Sequence, residues 1–146
     1  ASAGATSLTQ PYLDDRSDAL ALIRSYYNAL SRQEFARAWS YWGDDKPAAD
    51  FDAFEAEGQG IVSVDLVFGE VFSEGAAGSV FHQVPVAVLV TREDGGEEQS
   101  AGCVVARLAN PQIQGVPFRP MHLVSDTLAP ASGPPEDTLP ASCEPG

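Results

Sequence analysis

Ser79-Val80-Phe81-His82-Gln83-Val84-Pro85-Val86-Ala87-Val88-Leu89-Val90-Thr91-Arg92, followed at once by Glu93-Asp94-Gly95-Gly96, is a valine-rich run closed by a turn. Branched side chains favour the pleated backbone of a strand, and an acidic-glycine cluster after such a run marks a hairpin. The run therefore predicts a long strand that folds back on its successor. That successor is expected over roughly Glu98–Leu108, where Asn110-Pro111 breaks it. Upstream, Val62, Val64, Leu66, Phe68 and Phe72 alternate with more polar residues, and Glu74-Gly75-Ala76-Ala77-Gly78 predicts the preceding turn. A last strand is expected over Phe118–Leu128, after a loop containing Gly115 and Pro117.

Residues 15–42 carry a different period. Asp15 and Asp18 are spaced like a cap and its third helical position, and Leu20, Ile23, Tyr27 and Leu30 follow at three- and four-residue steps. Ser31-Arg32-Gln33-Glu34 reads as a capping box, which predicts a second helix with Phe35, Ala38, Trp39 and Trp42 inward and Gly43 as its stop. A short third helix is expected near Asp50–Glu57, with Phe51 and Phe54 inward and Gly58 ending it. Helices gathered at the start, followed by four strands joined by short turns, predict an α+β domain with an antiparallel sheet.

The order of two helices, a short third and four long strands resembles the nuclear transport factor 2-like superfamily, also called SnoaL-like or ketosteroid-isomerase-like. The local likeness is Ala21-Leu22-Ile23-Arg24-Ser25-Tyr26-Tyr27-Asn28-Ala29-Leu30, then Glu34-Phe35-Ala36-Arg37-Ala38-Trp39. The resemblance spans residues 15–129 and rests on apolar spacing. It implies a curved sheet, mixed or antiparallel, wrapped around the helices as a cone. It also implies a pocket between helices and sheet, and a homodimer through the sheet's outer face. It does not imply an activity, because this fold hosts isomerases, dehydratases and non-catalytic modules alike.

Length and composition bound the rest. The 146 residues fit one domain, and 44% hydrophobic content is enough for a core. Eight Lys and Arg against 21 Asp and Glu give a net charge of -13, which argues against nucleic acid or an anionic membrane as partner. No apolar run reaches the ~20 residues of a membrane span. Residues 1–14 are expected as an N-terminal extension, 15–129 as the domain and 130–146 as an extended, Pro-rich tail. The small, polar start Ala1–Ser7 reads as the start of a mature chain or of an artificially trimmed one, with any export signal already absent.

The chain has two cysteines, Cys103 in a strand-like run and Cys143 in the tail. Paired, they would pin the tail across the domain, worth about 4 kcal/mol for a loop of about 40 residues, and would place the protein in the periplasm or outside the cell. Two unrelated thiols are the other reading. No zinc spacing, dinucleotide fingerprint, phosphate loop or nucleophile elbow occurs, so neither a metal nor a cofactor is implied.

Polar residues inside apolar strands are the remaining candidates for a site. His82 alternates in step with Val80, Val84 and Val86; His122 with Phe118, Val124 and Asp126; Arg107 with Cys103 and Val105. Were these faces aligned, His82, Arg107, His122 and Asp126 would form a polar cluster suited to an anionic or carbonyl ligand, with a His–Asp pair as general base. Tyr27 and Trp39 complete the candidate pocket. A one-residue slip would send any of the strand residues to the other face. The family's isomerases pair a carboxylate base with a tyrosine donor; Asp65 and Asp126 are the candidate carboxylates and Tyr26 and Tyr27 the candidate donors, but neither carboxylate sits in a motif that carries a catalytic role over from the family. The reading reached is a non-catalytic ligand-binding or accessory module of an exported protein. Its object would be a small apolar ligand or a protein partner on the sheet face. The alternative is an isomerase or dehydratase.

Overall fold

Three helices precede the sheet in the computed structural model, which describes residues 11–143; the Ala1–Ser7 stretch and residues 144–146 lie outside it. Helix α1 (Ala19–Ser31) is capped by Asp18, whose side chain accepts from the Ala21 N–H, while Asp15 instead accepts from the Ser17 N–H just outside the helix. Helix α2 is only Phe35–Ser40, and the Ser31–Glu34 capping box does not form. Gln33 takes a left-handed φ of 62°, and the Glu34 carboxylate turns to Arg32 at 2.8 Å and Arg37 at 2.7 Å rather than back to the backbone. Helix α3 (Phe51–Gly58) is capped by Asp50 through the Ala53 N–H.

The strands are β1 (Ile61–Phe68), β2 (Phe72–Ala76), β3 (Ser79–Arg92), β4 (Glu97–Ala109), β5 (His122–Asp126) and β6 (Ala129–Pro130). They form one antiparallel sheet in the order β1-β3-β4-β5, with β2 also on β3 and β6 also on β4. It is not closed into a barrel, and the α+β class read from the sequence is the observed one. The expected first strand breaks at Gly69–Val71 into β1 and β2, both paired with β3. The turn that follows is Ala77-Gly78, with φ of 52° and 82°, as a two-residue hairpin requires. The last strand starts at His122, not Phe118, because residues 110–121 form a connection with a 3-10 turn at Pro111–Ile113.

Helices cover one face of the sheet. Val84, Val86 and Val88 of β3 and Val104 and Ala106 of β4 are buried against Leu22, Ile23, Tyr26, Tyr27 and Leu30 of α1. Rings fill the space beneath α2 and α3: Tyr26 meets Trp42 at 5.8 Å and Phe54 at 6.4 Å, and Trp39 meets Phe54 at 5.2 Å and Phe51 at 5.7 Å. A strap at residues 11–16 lies along α1. It is held by Asn28 to Pro11 and Leu13 and by Ser25 to Asp15. Arg37 ties strap and helices together, donating to the Leu13 carbonyl at 2.7 Å, Tyr41 Oη at 2.7 Å, Asn28 at 2.8 Å and Glu34 at 2.7 Å.

The other face is crossed by the chain's own C-terminal segment. Cys103 and Cys143 form a disulfide. Residues 129–143 are not simply extended: β6 pairs with β4, and a turn of helix, α4 (Pro135–Thr138), lies against β3, β1 and β4. Beneath this segment Ala87 is only 1% exposed although it points away from the helices. No helix among the described residues is long and apolar enough to cross a membrane.

Candidate functional site

Register divides the four polar strand residues between the two faces. His82 pairs with Ala106 and Asp126 with Val104, which sets both on the helix-covered face. Arg107 and His122 pair directly with each other on the opposite face. An irregularity in β5 at Val124 produces the split: Val105 pairs with Ser125 while Ala106 pairs with Leu123, so Asp126 falls out of step with His122. The cluster assembled from sequence alternation is thus two separate pairs of environments.

His82 sits beyond the helices, where its Nδ1 is 2.7 Å from Ser73 Oγ on β2. Tyr27 is buried, and Trp39 is half-buried in the α2–α3 ring cluster with the Lys46 ammonium 5.1 Å from its ring centre. Asp65 is exposed, opposite Leu89 on the face away from the helices.

Asp126 and the two tyrosines are electrostatic neighbours. Burial raises the Tyr27 hydroxyl well above the ordinary tyrosine range, and nearby Tyr26 and Asp126 raise it further. Tyr26 is raised by burial too, with Asp126 adding to the effect. Asp126 is open to solvent as a residue, yet desolvation of its carboxyl outweighs the lowering influence of the Leu128 backbone amide and lifts its pKa. Among the described residues no hydrogen bond joins Tyr27 to a carboxylate. The Trp42 indole N–H is near enough to the Tyr26 hydroxyl to lower its pKa, but it is buried and has no hydrogen-bond partner among the described residues.

A second setting was not assembled from the sequence. The chain at Tyr41–Gly43 runs alongside β5: the Gly43 N–H donates to the Leu123 carbonyl at 3.0 Å and the Leu123 N–H to that of Tyr41 at 2.8 Å. This brings the Gly43–Lys46 loop beside the 114–120 connection, with His122 between them. Gly43 is needed here, since a Cβ on it would lie 2.4 Å from His122 Cδ2. Two surface cavities flank the ring. One, of about 230 Å³, is lined by Arg16, Lys46, Arg119 and His122; the other, of about 370 Å³, by Arg107, Arg119 and His122. Arg16, Lys46 and Arg119 were readable only as scattered charges, because nothing in their spacing marks them as neighbours. Among the described residues no three His, Cys, Asp or Glu side chains converge as metal ligands would. No protein-family model matches the chain, and no curated protein matches its sequence.

Proposed function

We propose that the chain is a non-catalytic accessory module of an exported protein, built on the nuclear transport factor 2-like plan, whose object is a protein partner. The observation that carries this reading is the filled interior. The space between helices and sheet, where a pocket would open, holds the chain's own Tyr26, Trp39, Trp42, Phe51 and Phe54 rings. The disulfide supports an oxidising compartment. The C-terminal segment lies over part of the sheet's outer face, so a partner would meet the apolar side chains left exposed at the β2–β3 hairpin and in the 110–120 connection. Phe72, Ile113 and Phe118 are 41%, 63% and 59% exposed there. Native mass spectrometry of the unreduced protein, beside a denatured run, tests the reading. A bare chain is expected; an adduct lost on denaturation overturns the filled interior, and a dimer peak would identify the partner as a second copy.

Asp126 favours a second reading. A carboxyl with a raised pKa on the helix-covered face, near enough to raise the pKa values of two buried tyrosines, has the composition of an isomerase or dehydratase site, with the carboxylate as base and a tyrosine as donor. Conversion of a β,γ-unsaturated ketone to its conjugated isomer, followed by absorbance, tests it. Turnover abolished by Asp126→Asn supports the enzyme reading, and absence of turnover in the unmodified chain removes it for this substrate class.

A further inference from the structure

We propose that the two cavities flanking His122 form one groove that binds a small molecule through an oxyanion group, a carboxylate or a phosphate. This goes beyond the accessory-module reading and does not depend on it, because the groove lies outside the helix–sheet interior.

The distribution of charge makes the argument. The chain has only eight Lys and Arg among its 146 residues and a net charge of -13. Four of those eight, Arg16, Lys46, Arg107 and Arg119, line the two cavities together with one of the two histidines. Among the described residues the carboxylates paired with them are Asp14, 3.4 Å from Arg16, and Asp44, which itself lines the first cavity and lies 3.5 Å from Arg119. A predominantly acidic protein thus gathers half of its fixed cations around one ring. Cations brought together without a ligand repel one another, so such a cluster suits an anion. Distant acids do not cancel it, since at physiological salt exposed charges are screened over ~8 Å.

Donor geometry points the same way. The His122 Nδ1 lies 3.1 Å from the Pro120 carbonyl. A carbonyl only accepts, so Nδ1 carries the hydrogen, and Nε2 faces the Gly43 side of the groove with no partner among the described residues. Arg107 uses Nε on Ser79 at 3.0 Å, which holds the guanidinium in place and leaves its two terminal nitrogens unengaged among the described residues. Arg16 is steadied over the Tyr41 ring at 4.3 Å and by Ser40 at 3.2 Å. Arg119 belongs to both cavities and, among the described residues, pairs with Asp44, whose side chain is 88% exposed. A ligand oxyanion on Arg119 would compete with Asp44 for the guanidinium.

Asp44 and Arg119 are both surface side chains, which makes them clean tests. Inorganic phosphate and acetate are titrated separately into the oxidised protein at constant ionic strength, following the His122 ring and arginine Nε signals by NMR. Saturable shifts of His122 and Arg119 are expected with at least one anion. Phosphate alone would indicate a phosphate ester, and acetate alone a carboxylate. Arg119→Gln should weaken binding by about fivefold or more, and Asp44→Asn should strengthen it by about threefold, as loss and gain of one charge-assisted contact predict. An absence of saturable shifts with both anions, or binding indifferent to Arg119→Gln and Asp44→Asn, overturns the proposal. Unchanged thermal melting of both variants confirms that the readout concerns binding and not folding.

Discussion

Serine at both Cys103 and Cys143 opens a covalent loop whose ends are 40 residues apart. In the unfolded chain that loop restricts the separation of its ends, and the chain-entropy relation puts the restriction at about 13 cal/mol/K, or about 4 kcal/mol at 25 °C. This is an upper value for the loss, reached if the C-terminal segment stays docked without the bond. The docked segment has contacts of its own: Ala131 N–H to the Gln99 carbonyl at 3.0 Å, Gln99 Nε2 to the Gly133 carbonyl at 3.0 Å, and α4 over β3. With those retained, urea denaturation should show a loss of about 3–4 kcal/mol, and the melting temperature should fall by roughly 12 °C for a chain of this size. Hydrogen exchange separates the two native forms. If the segment stays docked, the Ala131 amide remains protected; if it leaves, Ala131 exchanges freely and the measured loss shrinks. A loss below about 1 kcal/mol with Ala131 still protected would refute the reasoning, because the loop would then not be restricting the unfolded chain.

Arg37→Leu removes the donor to Glu34, Leu13, Asn28 and Tyr41 and strands several partly buried acceptors. A loss of about 3 kcal/mol in urea denaturation is expected, with the 11–16 strap exchanging faster. Gly102→Ala places a Cβ 2.5 Å from the Thr127 carbonyl oxygen, a backbone atom that cannot swing aside. It should destabilise by about 1–3 kcal/mol and loosen β6 in hydrogen exchange. Asp126 has a folded pKa above its unfolded value, so it holds its proton more tightly when folded, and its contribution to stability falls as pH rises from the unfolded to the folded pKa. Asp126→Asn should flatten that decline in a pH series of melts; a decline of unchanged size would exclude Asp126 as its source. Asp14 has the opposite sign: its pKa is lowered first by the Tyr41 hydroxyl, which donates to it at 2.7 Å, so its contribution is present above the unfolded pKa and is lost as pH falls through the folded one. Asp14→Asn should remove that loss on the acid side.

Periodicity alone carried the class of the fold. The step of three and four in Leu20, Ile23, Tyr27 and Leu30 and the step of two around Val84, Val86 and Val88 report which side chains share a face within one element, and a single element is a local matter. The strand from Ser79 to Arg92 and its hairpin were legible for that reason, as was Asp50 as a cap. Cys103 and Cys143 could be suggested as a pair but not paired, because the sequence does not show whether two points 40 residues apart meet. Only the tertiary structure decided what lies across from what. One irregularity at Val124 sets Asp126 on the helix side and leaves His122 facing Arg107, a shift that alternation cannot reveal. The Ser31–Glu34 box failed because Arg32 and Arg37 compete for Glu34, and Arg37 is placed by contacts with the distant strap at Leu13. The basic groove arises likewise, from Arg16, Lys46, Arg107 and Arg119, which are far apart in the chain and meet because the Tyr41–Gly43 segment runs beside β5. Local spacing determines which face a side chain takes within an element; the pairing of distant backbones determines its neighbours, and with them the chemistry.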